Sequence, residues 1–126
     1  MSSIIPRSVT AAFGTIGLAF GVNAILNPAS ALSFFELPMP EGDAERNLVE
    51  ALMVVYGVRD IFMAVAIYAA AYFGSRRALG WITMSVGAVA FADGVVCKVY
   101  AGTGEWGHWG YAPVLTLMGA ILAMRD

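Results

Sequence analysis

The chain has 126 residues, of which 60% are hydrophobic and only 13% are charged, and its mean hydropathy is +0.74. Soluble domains carry about 25% charged residues, so this composition excludes a disordered chain and an ordinary cytosolic enzyme and indicates that most of the chain lies in lipid. The net charge of −2 gives no electrostatic reason to expect nucleic acid as a partner, and one cysteine with one histidine excludes a disulfide framework and a closed zinc site.

Four apolar stretches predict a single all-α membrane domain, residues 1–126, built as a bundle of four transmembrane helices. With about 20 mostly apolar residues needed for each crossing, the predicted spans cover residues about 9–26, 48–73, 78–100 and 109–124. We interpret the first span as an uncleaved helix rather than a signal peptide, because no clear cleavage site follows it and Asn27-Pro28 is typical of a helix end. The fourth span is short and needs Trp106 or Trp109 as its anchor at the membrane interface.

Basic residues near the ends of these spans predict the orientation of the bundle. Arg7, the Arg76-Arg77 pair and Arg125 fall on one side of the membrane, whereas residues 28–47 carry four acidic residues and a single arginine. By the positive-inside rule, both termini face the cytoplasm and residues 28–47 form an outer loop. The short connection between the second and third helices makes them antiparallel neighbours.

Glycines recur on one face of two predicted helices. They are Gly14, Gly17 and Gly21 on the first helix and Gly80, Gly87 and Gly94 on the third. Because lipid removes the hydrophobic drive between helices, small residues that allow close approach must hold the helices together. We therefore expect both rows to be packing seams, although glycines in such a row can equally make room for a ligand.

Charged residues inside the predicted spans are the strongest functional signal. A charge near the centre of a spanning helix costs at least about 2.5–3.5 kcal/mol, so such residues usually face the bundle interior and carry function. On the second helix, Glu50 and Asp60 fall within one stripe, whereas Arg59 points about 100° away from Asp60 and is expected to face a different neighbour. An apolar cavity favours a protonated carboxyl group and a guanidinium favours an ionised one, so Asp60 and Asp93 of the third helix can serve as an acid and a base.

These charges also have a structural interpretation. Arg59 and one of the two aspartates can form a buried ion pair that fixes helix register, since charges in lipid persist only when they are paired. Glu50 can lie in water just beyond the apolar core, and His108 can be an ordinary residue of the interface. We favour the functional interpretation for the whole set because intramembrane charges are rare.

The predicted topology also brings polar and aromatic side chains to the outer half of the bundle. We expect His108 to act there as a proton shuttle or mouth residue, with Glu50 as a second-rank catalytic candidate. Substrate contacts are assigned to Asn23, Tyr56, Trp106 and Trp109. Neither a set of metal ligands nor a phosphate-binding loop is present in the sequence, so we expect no metal and no cofactor.

Five short segments form a recognisable pattern along the chain. They are Phe34-Phe35-Glu36-Leu37-Pro38, Tyr56-Gly57-Val58-Arg59-Asp60, Arg76-Arg77-Ala78-Leu79-Gly80, Ala92-Asp93-Gly94 and Gly107-His108-Trp109. Their order and spacing resemble the domain-of-unknown-function family 4267 over nearly the whole chain. The resemblance implies a small four-helix membrane protein of fungi and bacteria, some fungal members being encoded among genes for secondary metabolism. It places the family's polar motif positions at Arg59, Asp60, Asp93 and His108, and it implies no settled reaction.

The leading hypothesis is a cofactor-free integral membrane enzyme that acts by acid–base chemistry on a lipophilic small molecule, as an isomerase, a cyclase or an epoxide-opening enzyme. Asp60 and Asp93 would be the acid–base pair, and Arg59 would hold one of them ionised. Two alternatives stay open: an accessory or scaffold subunit that packs against a membrane enzyme through its glycine faces, and a small transporter. The expected partners are the lipid bilayer, the substrate, and either a second copy of the chain or a membrane enzyme, but no nucleic acid.

Overall fold

The computed structural model describes residues 4–124, and within that range the chain is helical and contains no β-strand. The helices are α1 (Ile4–Leu26), α2 (Pro28–Ser33), α3 (Asp43–Phe73), α4 (Arg76–Val96), α5 (Trp106–Trp109) and α6 (Ala112–Met124), and a π-helical turn, Cys97–Ala101, continues α4. The prediction of an all-α protein is therefore confirmed. Arg125, on which part of the predicted orientation depends, lies outside the described residues.

Local sequence signals explain where several helices begin and end. α1 ends at Leu26, as the sequence predicts, and the Asn27 side chain then accepts a hydrogen bond from the Ser30 amide at 3.3 Å, which caps α2. Ser75 caps α4 in the same way through the Ala78 amide at 3.0 Å. The connection between α3 and α4 is consequently very short, which makes these two helices neighbours.

α3 begins earlier than the predicted second span. The helix starts at Asp43 rather than near residue 48, because Asp43 and Glu45 in its first turn interact favourably with the helix dipole. Arg46 and Glu50, one turn apart, form an ion pair that supports the same segment. The predicted outer loop, residues 28–47, is therefore helical at both of its ends.

Within residues 4–124, three helical segments are long and apolar enough to cross a membrane: α1, α3, and α4 together with its π-helical turn. The predicted fourth span, residues 109–124, is divided into α5 and α6, since Pro113 in the first turn of α6 lacks the amide that would continue the helical hydrogen-bond ladder. α6 has 13 residues. At 1.5 Å per residue it is about 20 Å long, less than the roughly 30 Å of a hydrocarbon core.

The long helices form two antiparallel pairs. α1 packs along α3 and α4 packs along α6, while α3 and α4 meet over fewer residues. A β-carbon built on Gly21 of α1 would lie 2.7 Å from the carbonyl oxygen of Gly57 on α3, and a β-carbon on Gly57 would lie 2.6 Å from the oxygen of Gly21. A β-carbon built on Gly80 of α4 would lie 2.6 Å from the carbonyl oxygen of Gly119 on α6. These contacts confirm that glycines form packing seams inside each pair.

Gly17 differs from the other glycines of its row. A β-carbon built there has no atom of the described residues within 4 Å, whereas one built on Gly14, one turn earlier, would lie 3.3 Å from Ile67. Gly17 instead lines a cavity between the two helix pairs. The prediction of a packing seam is therefore wrong at this one position, because the side of α1 that carries Gly17 does not face α3.

Buried apolar clusters lie at the two ends of the bundle. One contains Ala24, Ala31, Leu32 and Met53, and the other contains Ile67, Ala70, Leu79 and Leu122. The first joins α1, α2 and α3, and the second joins α3, α4 and α6. The two clusters hold the ends of the bundle together and leave the cavity between them.

The contrast between Gly17 and Gly21 is testable on a single helix. We expect Gly21→Leu to lower the free energy of unfolding by about 1–3 kcal/mol or more, because overpacking against a backbone forces α1 and α3 apart. Gly17→Leu should leave that free energy unchanged or raise it slightly, since leucine loses less backbone entropy in a helix than glycine does. Unfolding of the purified variants in detergent measures both, and an equal loss in the two would contradict the open position of Gly17.

Candidate functional site

A guanidinium shared by two carboxylates forms the centre of the site. Arg59 of α3 donates hydrogen bonds to both carboxylate oxygens of Asp93 on α4, with Nη1–Oδ1 at 3.1 Å and Nη2–Oδ2 at 3.0 Å. It also donates to Oδ1 of Asp60, from Nε at 3.2 Å and from Nη2 at 3.0 Å. We call these three residues the Arg59 cluster. Its two-pronged contact with Asp93 is among the strongest side-chain pairings and fixes α3 against α4.

The expectation that Arg59 faces a different neighbour from Asp60 is wrong. The two residues do leave the helix in different directions, and Asp60 is only 6% exposed while Arg59 is half-buried. The long Arg59 side chain nevertheless bends back along the surface of α3, so that its guanidinium reaches the Asp60 carboxylate. The two ion pairs considered as alternatives from the sequence therefore exist together.

The Arg59 cluster has unequal numbers of positive and negative groups. One guanidinium faces two carboxylates, so the cluster carries a net charge of −1 when all three groups are ionised. Three of the four carboxylate oxygens accept hydrogen bonds from Arg59, and the fourth is Oδ2 of Asp60. Arg59 therefore binds both carboxylate oxygens of Asp93 but only one of the two carboxylate oxygens of Asp60.

Tyr56 completes the cluster from one turn earlier on α3. Its ring centroid lies 4.5 Å from Cζ of Arg59, which places the guanidinium over the aromatic face. Such a cation–π contact stabilises a partly desolvated cation by about 0.5–2 kcal/mol. The same side chain interacts with the Asp60 carboxylate, and it lines the cavity. Tyr56 therefore lies at the cavity wall, beside both Arg59 and Asp60.

The two carboxylates of the Arg59 cluster, Asp60 and Asp93, line a cavity of about 380 Å³ between the two helix pairs. Its apolar lining consists of Phe13, Gly14, Ile16, Gly17, Phe20, Phe34, Met63, Ala64, Ile67, Val86, Val89, Ala90, Gly107 and Leu115. The polar lining consists of Tyr56, Asp60, Asp93, His108 and Tyr111. Small-molecule sites usually measure about 300–1,000 Å³, so the volume of this cavity lies at the lower end of that range. Residues 4–124 hold no group of three acidic, histidine or cysteine side chains that could bind a metal ion.

His108 closes the end of the cavity that lies away from Ile67. Its Nε2 lies 3.2 Å from the carbonyl oxygen of Phe34, which can only accept, so Nε2 carries a hydrogen and donates it. Nδ1 is hydrogen-bonded to the Tyr111 hydroxyl at 3.3 Å. The imidazole also stacks on Phe35 with 5.1 Å between ring centroids. These three contacts hold the His108 imidazole in one orientation at the edge of the cavity.

Two other predicted polar residues lie away from the cavity lining. Glu50 pairs with Arg46 at 3.2 Å near the beginning of α3, where both side chains are largely exposed. The Asn23 side chain donates to the Ser30 hydroxyl at 3.3 Å and so joins α1 to α2. Glu50 shares a helix stripe with Asp60, but it lies nearly three turns away and its nearest counter-ion is on its own helix.

The two tryptophans predicted as substrate contacts also lie outside the cavity. Trp106 is 72% exposed. Trp109 stacks on Phe91 of α4 and donates its indole hydrogen to the Phe91 carbonyl oxygen at 3.0 Å. Of the predicted site residues, the structure brings together Tyr56, Arg59, Asp60, Asp93 and His108, and it leaves Glu50, Asn23, Trp106 and Trp109 elsewhere.

Three residues of the site were not predicted from the sequence. Gly17 opens the cavity, Phe35 supports His108, and Tyr111 binds the imidazole. The signal for Tyr111 was its hydroxyl three residues after His108, which is one helical turn. Phe35 belongs to a segment that carried the family resemblance, but its position under the imidazole depends on how α2 folds over the bundle.

A second polar pair lies next to α5 but outside the cavity lining. Lys98 donates to Oε1 of the buried Glu105 at 3.4 Å, while Oε2 of Glu105 has no hydrogen-bond partner among the described residues. A backbone hydrogen bond, together with the nearby ammonium of Lys98, holds the pKa of the Glu105 carboxyl below its usual value. This pair anchors the segment between the π-helical turn and α5.

The chain belongs to the family described as "Domain of unknown function (DUF4267)", whose family model matches residues 14–122. The match includes every member of the Arg59 cluster together with Tyr56, His108 and Tyr111. Neither a curated protein nor a solved structure matches the chain significantly. The family assignment therefore agrees with the resemblance drawn from the sequence and supplies no reaction.

Replacing Arg59 tests the ion pairs of the cluster. We expect Arg59→Leu to destabilise the protein by about 3–5 kcal/mol, because it leaves the buried Asp60 carboxylate and the partly buried Asp93 carboxylate without their shared partner. Combining it with Asp60→Asn or with Asp93→Asn should each recover part of that loss, and the triple variant should recover most of it. Unfolding in detergent, analysed as a mutant cycle, measures these couplings.

Arg46→Leu is the matched control for that cycle. It makes the same substitution on the same helix but breaks only an exposed ion pair, so it should change stability by less than about 1 kcal/mol. Arg59→Leu variants that gain nothing from either asparagine would show that the aspartates and Arg59 are not coupled in the folded protein.

Proposed function

We propose that this member of the DUF4267 family is a cofactor-free integral membrane enzyme that binds a lipophilic small molecule in the cavity and moves a proton on it through Asp60. The proposal assigns Arg59 and Asp93 to positioning roles and Tyr56 to substrate contact. Isomerisation, cyclisation and epoxide opening are the reaction types that this chemistry serves.

The supporting observation is the unequal charge of the Arg59 cluster. A net charge is costly in apolar surroundings, so the cluster is neutral there when one of its two carboxyl groups holds a proton. Asp93 makes the two-pronged contact that suits an ionised carboxylate, whereas Oδ2 of Asp60 accepts nothing from Arg59. The exchangeable proton therefore belongs on Asp60, which also lines the cavity.

This proton inventory permits a balanced reaction. The Asp60 carboxylic acid gives its proton to one atom of the substrate and then takes a proton back from another atom, which isomerises or cyclises the substrate and restores the enzyme. In epoxide opening, the Asp60 carboxylic acid protonates the oxygen as a C–O bond breaks, and the attacking water or hydroxyl returns a proton to Asp60. Neither course needs an oxidant or a reductant.

His108 offers a route for proton exchange at the edge of the cavity. Its imidazole lines the same cavity as Asp60 and is hydrogen-bonded to Tyr111, and an imidazole can both accept and donate a proton. The role proposed for His108 is to reset Asp60 between turnovers rather than to touch the reacting bond.

We propose further that the chain crosses the membrane four times with both termini on the cytoplasmic side. Nη1 of Arg7 donates to the Ala71 carbonyl oxygen at 2.7 Å, so Arg7 lies at the same end of the bundle as the Arg76-Arg77 pair. Basic residues at one end favour the cytoplasm for that end. α5 and α6 together provide the fourth crossing, which runs antiparallel to α4.

A scaffold subunit is the second candidate function. The Arg59 cluster supports it directly, because a network that fixes α3 against α4 needs no substrate. Transport has less support, since the cavity ends against the buried cluster around Ile67 and Leu122 rather than continuing through the bundle.

Asparagine substitutions separate catalysis from scaffolding. Asp60→Asn keeps the size of the side chain but cannot exchange a proton, so we expect product formation to fall about 10²–10⁴-fold. Asp93→Asn should have a smaller effect, because it leaves Asp60 able to accept a proton. The measurement is product accumulation in cells that lack their own copy and express each variant at matched folded levels, followed by untargeted extraction of lipophilic metabolites.

Asp43→Asn is the control, since it makes the same chemical change at an exposed position of the same helix and should keep full product. A scaffold depends on shape and should tolerate both variants of the Arg59 cluster. Full product from Asp60→Asn would therefore reject the catalytic role and leave the scaffold.

The orientation can be checked by cysteine labelling in intact cells. A cysteine placed at Ser75 should be protected from a membrane-impermeant thiol reagent, whereas cysteines placed at Gly42 and Thr103 should react, because the basic end of the bundle faces the cytoplasm. The native Cys97 is buried and provides the unreacted background. Reaction at Ser75 without reaction at Gly42 would reverse the proposed orientation.

A further inference from the structure

The cavity is closed at both ends of the bundle. At one end Ile67, Ala70, Leu79 and Leu122 pack together in a buried cluster. At the other end His108 is hydrogen-bonded to the Phe34 carbonyl oxygen and stacked on Phe35, which in turn packs edge-on against Tyr56 at 5.4 Å. A molecule that reached the cavity from water would have to separate one of these two closures.

The side of the cavity between α1 and α6 is different. α1 packs closely along α3, and α4 along α6, but α1 and α6 approach each other at few positions. Cavity-lining side chains on α1 are correspondingly open to the outside: Ile16 is 52% exposed and Phe20 is 38% exposed. Gly17 lies between them and adds no side chain to obstruct the gap.

This exposed side of α1 belongs to a segment long and apolar enough to span a membrane. The surroundings of Ile16, near the middle of α1, are then hydrocarbon rather than water. An apolar opening in such a position connects the cavity to the lipid phase. The charged side of the cavity lies across from this opening. Asp60 of α3 and Asp93 of α4 form it.

We infer that the cavity takes its ligand sideways from the bilayer, through the gap between α1 and α6, and that this ligand is an uncharged, membrane-dissolved molecule with an apolar body and one hydrogen-bonding head group. The inference rests on the proposed function, since it names the substrate class of the same site. The head group reaches Asp60 while the apolar body fills the space beside Gly17, Met63 and Leu115.

The chemistry of the lining sets this class. A permanent charge on the ligand would have to leave water and cross hydrocarbon, which costs far more than one contact with Asp60 returns. A cavity of about 380 Å³ accommodates a single small molecule or one acyl chain segment, and it is too small for a whole phospholipid. The ligand is therefore a minor solute of the membrane rather than a bulk lipid.

A photoreactive lipid tests the route. The probe is a phosphatidylcholine with a diazirine near the middle of one acyl chain, mixed into nanodiscs that contain the full chain, illuminated and mapped by mass spectrometry. Such a probe cannot leave the bilayer, so it reaches inward-facing residues only through a lateral opening. We expect labels on the cavity residues Asp60 and Met63 as well as on Phe62, which is 69% exposed and faces outward.

Gly17→Phe provides the matching variant, because its ring would occupy the open space beside the gap. It should reduce labelling of Met63 several-fold and leave labelling of Phe62 unchanged, whereas Gly17→Ala should change neither. Labels confined to outward-facing residues such as Phe62 in the unmodified chain would overturn lateral access, as would equal labelling of Met63 in the Gly17→Phe variant.

The test is independent of the proton chemistry. Asp60→Asn should retain the label on Met63 even where it abolishes product, because access depends on the gap rather than on the carboxyl group. Loss of product without labelling of Met63 would keep the proposed reaction and reject the lateral route. Labelling of Met63 with full product from Asp60→Asn would keep the route and reject the reaction.

Discussion

One shared guanidinium determines how the two halves of this bundle meet. Apolar surfaces gain little by turning towards each other in lipid, so directional contacts decide which helix faces are adjacent. Arg59 supplies such contacts by binding carboxylates on both α3 and α4. Any structure that separated these helices would leave the partly buried Asp93 carboxylate without its partner, which is unfavourable. The position of the cavity follows from this constraint, because the cluster forms part of its wall.

The glycines explain why a cavity exists beside the cluster. Gly21 and Gly57 bring α1 and α3 into backbone contact, and Gly80 and Gly119 do the same for α4 and α6. No comparable glycine pair joins α3 to α4 within residues 4–124; the bulky Arg59 cluster joins them instead. Two tightly packed pairs held apart by long polar side chains necessarily enclose space, and Gly17 enlarges it on the α1 side.

Much of this arrangement could be predicted from the sequence. Residue spacing predicted the helices and the close glycine contacts at Gly21 and Gly80. It also identified Arg59, Asp60 and Asp93 as charges inside the bundle. Residue spacing did not predict the contact between Arg59 and Asp60. The long Arg59 side chain bends away from the direction in which it leaves the helix. Residue spacing left the position of Glu50 open, since a helical stripe records direction but not depth, and the structure places Glu50 beside Arg46 near the beginning of α3. The π-helical turn that continues α4 has no signal in the residue spacing.

Structural and catalytic roles are compatible within one cluster because its charges are unequal. If Arg59 faced a single aspartate, the pair would be neutral and fully occupied, and it could serve only to hold two helices together. The second aspartate adds a carboxyl group whose charge the guanidinium cannot also cancel, so a proton or a ligand must complete the balance. Asp93 can then keep its structural contact throughout a reaction while Asp60 changes its protonation. In the proposed lateral route, the ligand would meet Asp60 without passing through water, and this would preserve the apolar surroundings on which the balance depends.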